Sequence, residues 1–141
     1  MKTFSTAIFI SLMIHFGCNT SQTASSENTE QSITGINWYL KKIYLPAGNM
    51  DITNSGAFIK FDAEKKSAGG KGGCNSFGSN YSMDGTNIGF KNIFSTKMFC
   101  EKFQQEENNF FMQLEKANKY ELTGGKLLLY NNNELLLEFG K

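Results

Sequence analysis

Alternating apolar and polar positions recur along the chain after about residue 35. In the segment GAFIKFD, one side carries Ala57, Ile59 and Phe61, and the other side carries Phe58, Lys60 and Asp62. A period of two residues is typical of a strand with one buried face. The pattern therefore predicts a strand whose alanine, isoleucine and phenylalanine face a core.

The single tryptophan, Trp38, belongs to a similar pattern in GINWYLKKIYL. It shares a predicted strand face with Leu40, because side chains two residues apart point to the same side of a strand. We expect Trp38 to lie in the hydrophobic core and not to serve as a platform for a ligand.

Turn-forming residues divide the rest of the chain at regular intervals. Asp84-Gly85 lies at the centre of NYSMDGTNIGF, and this dipeptide favours a tight hairpin between two strands. Breaks at residues 123–125 (Thr-Gly-Gly) and 131–133 (Asn-Asn-Asn) separate three further short strands. Strands that recur about every ten residues predict an antiparallel sandwich or barrel.

The segment from Glu101 to Tyr120 has a different period and contains no Gly or Pro. Its apolar residues recur at helical spacing and would form one stripe along a helix. They are Phe103, Phe110, Phe111, Leu114 and Ala117. Acidic residues lie toward its start, and Lys116 and Lys119 lie toward its end, an order that suits the helix dipole. We predict a mainly β fold with one helix: a small antiparallel β-barrel with one amphipathic helix packed on or into it.

The first residues have the features of an export signal. Lys2 precedes an apolar run over residues 4–16, which is too short for a mature membrane span but fits the apolar part of a secretory signal. The run ends at Gly17-Cys18, an ending that resembles a bacterial lipoprotein signal. We therefore predict a signal peptide over residues 1–17 and lipidation of Cys18.

A polar segment follows the predicted lipidation site. Residues 19–32 contain no aromatic side chain and cannot bury a core. They favour a lipid anchor over the alternative, an ordinary cleaved signal in which Cys18 is incidental. We predict a disordered tether over residues 18–34, with a reach of about 20–25 Å, and a folded domain over residues 35–141.

Composition narrows the possible chemistry. All fourteen basic residues are Lys, the formal net charge is +1 and no stretch is densely basic, so we expect no nucleic-acid partner. His15 is the only histidine and lies in the predicted signal. A mature chain without histidine excludes Ser-His-Asp and Cys-His catalysis and imidazole metal ligands. We expect no metal and no cofactor.

The stretch SAGGKGGCNSFGSNY, residues 67–81, raises the question of a phosphate-binding loop. The G-x-x-x-x-G-K-[ST] pattern fails because Lys71 is followed by Gly72, and G-x-G-x-x-G fails because Asn75 stands at its third glycine. A zinc site would need about four ligands, and the domain has only two cysteines. Glycines in a strand-rich region instead indicate bulges, tight bends or a close approach of two backbones.

A Gly-Cys-Asn core (Gly73 to Asn75) is followed by a Ser-Thr-x-Met-x-Cys segment (Ser95 to Cys100) and then by Glu107 in the predicted helix. In this order these features resemble the META domain family, to which the bacterial heat-shock protein HslJ belongs. The resemblance covers about residues 36–139 and is strongest around a Gly-Cys-Asn core and a Ser-Thr-x-Met-x-Cys segment. The residues that match the family motifs are Gly73, Cys74, Asn75, Phe77, Tyr81, Ser95, Thr96, Met98, Cys100 and Glu107. The resemblance implies a compact β-barrel-like domain with one helix, commonly exported or lipid-anchored. It implies an association with heat shock, antibiotic resistance or virulence in some members, and no defining enzymatic activity.

The resemblance also places Cys74 and Cys100 in the two most specific motifs, which suggests that they meet in space. We expect a structural disulfide, because exported proteins fold in an oxidising compartment. Two buried free thiols are the first alternative, since cysteine is among the most often buried residues. A redox-active pair is the second, although no C-x-x-C motif is present.

Two functions follow from these observations. The first is a non-catalytic, stress- or resistance-associated lipoprotein of the cell envelope, a monomer held at the membrane by its anchor, that binds an unknown protein or small ligand. The second is an enzyme or thiol-redox protein that uses Cys74 and Cys100 or a carboxylate pair. The surroundings of Asn75 and Thr96 discriminate between them, since an open cleft with a carboxylate would favour catalysis and bonded side chains would favour a structural role.

Overall fold

The computed structural model describes residues 33–52 and 54–141. The elements follow in chain order: β1 (Trp38–Ile43), β2 (Met50–Asp51), β3 (Phe58–Asp62), β4 (Ser67–Lys71), β5 (Ser76–Asp84), β6 (Asn87–Ser95), α1 (Gln104–Lys116), β7 (Lys119–Thr123), β8 (Lys126–Asn131) and β9 (Glu134–Gly140). The predicted signal peptide, Cys18 and residues 19–32 of the predicted tether lie outside the described residues.

The strands form an antiparallel sheet that closes into a ring. The order of neighbours is β1-β3-β4-β5-β6-β7-β8-β9, and β9 pairs back onto β1, with Phe139 opposite Leu40. The short β2 pairs with the end of β1, at Lys42 and Ile43. In the part of the chain that the structure describes, the predicted fold, mainly antiparallel β with one helix, is confirmed.

The predicted alternation of buried and exposed residues is also confirmed. Trp38 and Leu40 are buried on one face of β1, and Ala57, Ile59 and Phe61 are buried at β3. The indole N–H of Trp38 donates to a backbone carbonyl at 2.9 Å, so the polar atom of this ring is bonded inside the core. Trp38 is therefore a core residue, as its strand face predicts.

The three predicted turns lie where the sequence places them. Asp84 pairs with Asn87 across the β5–β6 turn, and Thr123 pairs with Lys126 across the β7–β8 turn. The β8–β9 turn falls within residues 131–134. Tight hairpins of this kind fix the register of neighbouring strands, and so they fix which side chains face the interior of the ring.

The folded part begins earlier than residue 35. Ile33 is fully buried and its carbonyl accepts the Trp38 indole hydrogen bond. Thr34 forms an isolated parallel bridge with Phe61. These two residues, which the sequence pattern assigned to the tether, are part of the packed domain.

The helix is shorter than predicted at both ends. It starts at Gln104, because Phe103 N–H donates to Cys100 O at 3.0 Å in a preceding turn. It ends at Lys116, since the next residue has an extended backbone. The assignment of Tyr120 to the helical segment is wrong: it belongs to β7, where it pairs with Leu129. Pairing between strands prevails there over the helical spacing of the sequence.

The predicted apolar stripe divides between core and periphery. Phe110, Leu114 and Ala117 are buried, whereas Phe103 and Phe111 are half-buried. The helix packs against β1, β6, β8 and β9. This packing brings the first turn of α1 next to the glycine-rich turn between β4 and β5.

Candidate functional site

The glycine-rich stretch forms β4, a tight turn and β5, and the turn lies against the start of the helix. Gly73 has a φ of 127°, which side chains with a Cβ rarely adopt. A Cβ on Gly72 would lie 2.6 Å from the ring of Phe111 and 2.8 Å from an oxygen of Glu107. The missing side chain at Gly72 thus lets the turn reach the helix. The predicted close approach of backbones is found at Gly69, where a Cβ would lie 2.9 Å from the backbone oxygen of Phe77.

Glu107 projects a buried carboxylate from the first turn of α1 into this turn. Its Oε2 accepts hydrogen bonds from the backbone N–H groups of Cys74 and Asn75, at 3.1 and 2.6 Å. Its Oε1 accepts a hydrogen bond from Asn75 Nδ2 at 2.6 Å. The N-terminal end of a helix also favours negative charge. Three donors and the helix dipole thus compensate the burial of this acidic side chain.

The side chain of Asn75 uses its full bonding capacity. Its Nδ2 donates to Glu107 and to the carbonyl of Met98, the latter at 3.0 Å. Its Oδ1 accepts from the Thr96 hydroxyl at 2.7 Å and from Met98 N–H at 2.8 Å. An amide side chain offers two donor hydrogens and two acceptor lone pairs. All four are occupied, so Asn75 joins the glycine-rich turn, the helix and the loop after β6.

A disulfide between Cys74 and Cys100 closes the same region. The Cα atoms are 6.1 Å apart, within the range that a disulfide requires. The predicted bridge is confirmed, and the alternative of two free thiols is not what the structure shows. Disulfides persist in oxidising compartments, which indicates an extracytoplasmic location for the domain. We call this arrangement the clamp: Asn75, Thr96, Met98, Glu107 and the Cys74–Cys100 disulfide.

The remaining motif residues have other positions. Phe77 and Tyr81 are buried on β5. The Phe77 ring lies 5.5 Å from that of Phe110, and the Tyr81 ring lies 5.2 Å from that of Phe61. Ser95 is half-buried at the end of β6. The motif therefore combines the clamp with aromatic packing of the helix and of β3 against β5.

The clamp borders a small cleft of about 240 Å³, which Asn75, Thr96 and Glu107 line. A cleft with a carboxylate was expected to favour catalysis, and bonded side chains were expected to favour a structural role. The structure has both features. The bonding decides the chemistry, because both oxygens of Glu107 and the whole Asn75 amide are already engaged. Such groups hold three segments together instead of offering a free base or nucleophile.

Two further carboxylates close together in the sequence, Asp62 and Glu64, line a larger cleft of about 880 Å³. Asp62 accepts a hydrogen bond from Lys65 N–H at 3.0 Å. This backbone hydrogen bond is the main reason why the pKa of the Asp62 carboxyl is lowered. Asp62 thus caps a turn.

The larger cleft was not predicted from the sequence. Its floor includes Ala68, Gly69 and Gly78, and Phe94 forms part of its wall. Small residues on neighbouring strands leave a depression in the surface of the sheet. Their position next to each other depends on the strand register, which the sequence does not give. The buried position of Glu107 did have a sequence signal, since it precedes Phe110 by three residues and Leu114 by seven on one helix face.

Within residues 33–52 and 54–141, no group of three or more His, Cys, Asp or Glu side chains is placed to hold a metal ion. In the same residues, no helix has the length and apolarity of a membrane span.

Comparison with known proteins identifies a family and a fold. The sequence model of the META domain matches residues 31–141. Similar solved structures include an NMR structure of a protein from Burkholderia xenovorans, with 17% identity, a TM-score of 0.64 and coverage of 79% of this chain and 85% of that chain. A crystal structure of a DUF4847 family protein from Bacteroides vulgatus has 16% identity, a TM-score of 0.60 and coverage of 79% and 96%. At these identities the neighbours show the fold alone. No curated protein matches significantly.

Proposed function

The chain belongs to the META domain family, and from this premise we propose that it is a non-catalytic, lipid-anchored module of the cell envelope. The clamp is the observation that carries the proposal. The Glu107 carboxylate, which could serve as a base, is engaged by Asn75, and the two cysteines, which could serve as nucleophiles, are bonded to each other. The motif then serves to hold the turn, the helix and the loop in place. The function of the protein is to bind a protein or small ligand through the surface that these segments help to form.

The anchor is proposed from the sequence and supported by the disulfide. An apolar run that ends at Gly17-Cys18 would deliver the chain to an oxidising compartment, which is where the Cys74–Cys100 bridge can persist. The lipid would hold the domain at the membrane as a monomer. More than one acyl chain would be required for stable attachment.

The larger cleft supports a ligand-binding role. Its volume of about 880 Å³ lies within the range of small-molecule sites, and such sites combine an apolar surface with a few polar groups. Here Phe94 and Ala68 supply apolar surface, and Lys60, Asn80 and Asn92 supply polar groups.

Metabolic labelling with a fatty-acid analogue tests the anchor. We expect the wild-type chain to carry the label and to fractionate with membranes, and Cys18→Ser to lose both properties. The folded domain should be unaffected, which the emission of the buried Trp38 can verify. Unlabelled wild-type protein released in soluble form would contradict the anchor.

Photo-crosslinking tests the binding role. A photoreactive phenylalanine analogue at Asn80, in the cleft, should form an adduct with a bound partner or ligand in the cell envelope. The matched control is the same substitution at Ser82, an exposed position on the same face of β5 outside the cleft. Equal adducts at both positions, or none at Asn80, would argue against binding in this cleft.

A thiol-redox function would require access to a sulfur atom. Within the clamp, Cys74 is 7% exposed and Cys100 is half-buried, which supports a structural disulfide over an exchanging one. A redox role would be supported if mild reductant opened the bridge in the folded protein faster than in a typical structural disulfide.

A further inference from the structure

The loop between β6 and α1 presents apolar side chains to solvent from a backbone that is fixed. Phe99 is 80% exposed and Met98 is 58% exposed. Single exposed apolar residues are ordinary on protein surfaces. Here, however, the clamp holds the backbone of Met98 through both its N–H and its carbonyl, and the disulfide holds Cys100. The hydrogen bonds of the clamp therefore hold the side chains of Met98 and Phe99 in a solvent-exposed position.

These side chains belong to a larger surface. Lys97 and Phe111 line the small cleft beside Met98 and Phe99, and they also line an adjoining groove of about 730 Å³. That groove contains two further exposed residues, Phe94 and Met112. We call this surface the exposed apolar patch: Phe94, Met98, Phe99 and Met112. Contiguous exposed apolar surface of this kind marks an interaction site.

One residue of the patch, Phe94, shares a cleft with the first described residues of the chain. Phe94 lines the larger cleft together with Thr34 and Gly35, and Ile33 is the first described residue. Thr34 bridges to Phe61 on β3, whereas Phe94 lies on β6, so the tether would join the domain across this cleft from the patch. The predicted reach of the tether, about 20–25 Å, would let an anchored domain turn the patch toward the membrane.

The charges around the loop suit an anionic surface. Residues 96–103 contain Lys97 and Lys102 against one acidic residue, Glu101, and the adjoining groove adds one exposed carboxylate, Glu115, on the side of Met112. Lys97 is the lysine that lines both clefts of the patch. Lysines next to exposed aromatic side chains are typical of segments that rest at the boundary between headgroups and acyl chains.

We propose that the exposed apolar patch rests on a lipid bilayer with anionic headgroups. In this arrangement Phe99 and Met98 enter the boundary between headgroups and acyl chains, and Lys97 and Lys102 contact phosphates. The inference rests on the proposed function, because the anchor brings the domain to the membrane. A bilayer suits the loop better than a protein partner does, because the backbone groups of Met98 are already bonded and protein interfaces draw on directional hydrogen bonds.

Fluorescence quenching by brominated phospholipids tests this contact in the full chain. A Phe99→Trp variant is mixed with vesicles of phosphatidylethanolamine and phosphatidylglycerol that carry bromine on the acyl chains. We expect emission from residue 99 to shift to shorter wavelength and to be quenched. Trp38 is 1% exposed and supplies the constant background. A Ser82→Trp variant is the matched control and should keep its emission.

Charge is tested in the same assay. Replacing Lys97 by Gln in the Phe99→Trp background should lower the ratio of lipid-contacting to free loop about fivefold, as expected for one lysine at an anionic surface. Vesicles of phosphatidylcholine alone should weaken the contact in the same direction. An unchanged signal in both cases would remove the electrostatic part of the proposal.

Flotation of the vesicles separates this inference from the anchor. Flotation without quenching at residue 99 would leave the anchor in place and overturn the patch contact. Quenching at residue 99 that persists in a Cys18→Ser variant would support the patch contact independently of the anchor. Equal quenching at residues 82 and 99 would overturn the specific contact. A concentration-dependent shift of the residue-99 emission without vesicles would overturn the proposal in favour of a second copy of the chain.

Discussion

Glu107 and Asn75 lie 32 residues apart in the sequence and meet through both oxygens of the Glu107 carboxylate. Oε2 is 2.6 Å from the backbone nitrogen of Asn75, and Oε1 is 2.6 Å from its side-chain nitrogen. One acidic side chain thereby fixes both the backbone and the amide of its partner. The loop that bears Met98 and Phe99 depends on this pair, since the same amide holds Met98.

Removal of the carboxylate should destabilise the domain strongly. In Glu107→Ala, the N–H groups of Cys74 and Asn75 and the Asn75 amide would lose their acceptor. Buried donors without partners cost about 1–3 kcal/mol each, so we expect a loss of about 3 kcal/mol or more in the free energy of unfolding, measured by urea denaturation. The control is Glu106→Ala, which removes the neighbouring carboxylate. An equal, small effect of both substitutions would show that the clamp contributes little.

The disulfide should contribute through the unfolded state. It links residues 26 positions apart, and the chain-entropy relation for such a loop gives about 3–4 kcal/mol. A Cys74→Ala/Cys100→Ala double variant should lose this amount in urea denaturation. Thiol titration of the unfolded, unreduced wild-type domain should detect neither Cys74 nor Cys100 as a free thiol. Two titratable thiols would contradict the bridge.

The sequence predicts those parts of the fold that depend on local patterns. The alternation at Ala57, Ile59 and Phe61 and the turn at Asp84-Gly85 need no knowledge of distant residues, and the structure agrees with both. Tyr120 was misassigned because its neighbours continue a helical spacing while its pairing partner, Leu129, lies in another strand. The local spacing of apolar residues carries no information about a pairing partner in another strand.

The site was predictable only in part, for the same reason. The family resemblance brought Cys74 and Cys100 together, but it carried no geometry. That Asn75 engages Glu107 and Met98 at once depends on how helix, turn and loop pack, which no spacing along the chain specifies. The larger cleft depends on strand register and was invisible for that reason.

The position of Ile33 predicts where the stable domain begins. Ile33 is fully buried and accepts the Trp38 indole hydrogen bond through its carbonyl. Ile33→Ala should therefore cost about 2–5 kcal/mol, the range for large-to-small changes in a packed core. Substitution of half-buried Ile36 by Ala is the matched control and should cost less. A negligible effect of Ile33→Ala in urea denaturation would show that the stable domain begins at residue 35, as the sequence pattern predicts.

Trp38 should behave as a core residue in solution. Its ring is 1% exposed, so its emission should be blue-shifted and poorly quenched by iodide. Trp38→Ala should cost about 3–5 kcal/mol, whereas Ala in place of its neighbour Tyr39, which is 40% exposed, should cost less. Emission at the wavelength of free tryptophan would refute the core assignment.

Glu138 should make the stability of the domain depend on pH in the acid range. Its carboxylate forms an ion pair with Lys126, with an N–O distance of 2.7 Å, and accepts a 2.9 Å hydrogen bond from the hydroxyl of Tyr44. The bond with Lys126 is the main reason why the pKa of Glu138 is lowered, and the Tyr44 hydroxyl acts in the same direction. An unfolded chain returns a glutamate to a pKa of about 4.3. The stabilisation is therefore complete above that pH and is lost as pH falls through the lower pKa of the folded state.

Glu138→Gln keeps an acceptor for Tyr44 but removes the charge that Lys126 binds. The variant should be less stable than the wild type near neutral pH, and the difference should shrink as the pH falls below about 4.3, where the unfolded wild-type carboxyl becomes protonated. Urea denaturation of both proteins from pH 7 to pH 3 measures this difference. Glu134→Gln, at the exposed start of the same strand, controls for the loss of one carboxylate. A Glu138→Gln difference that stays constant across the whole range would show that the wild-type ion pair does not lower the pKa of Glu138.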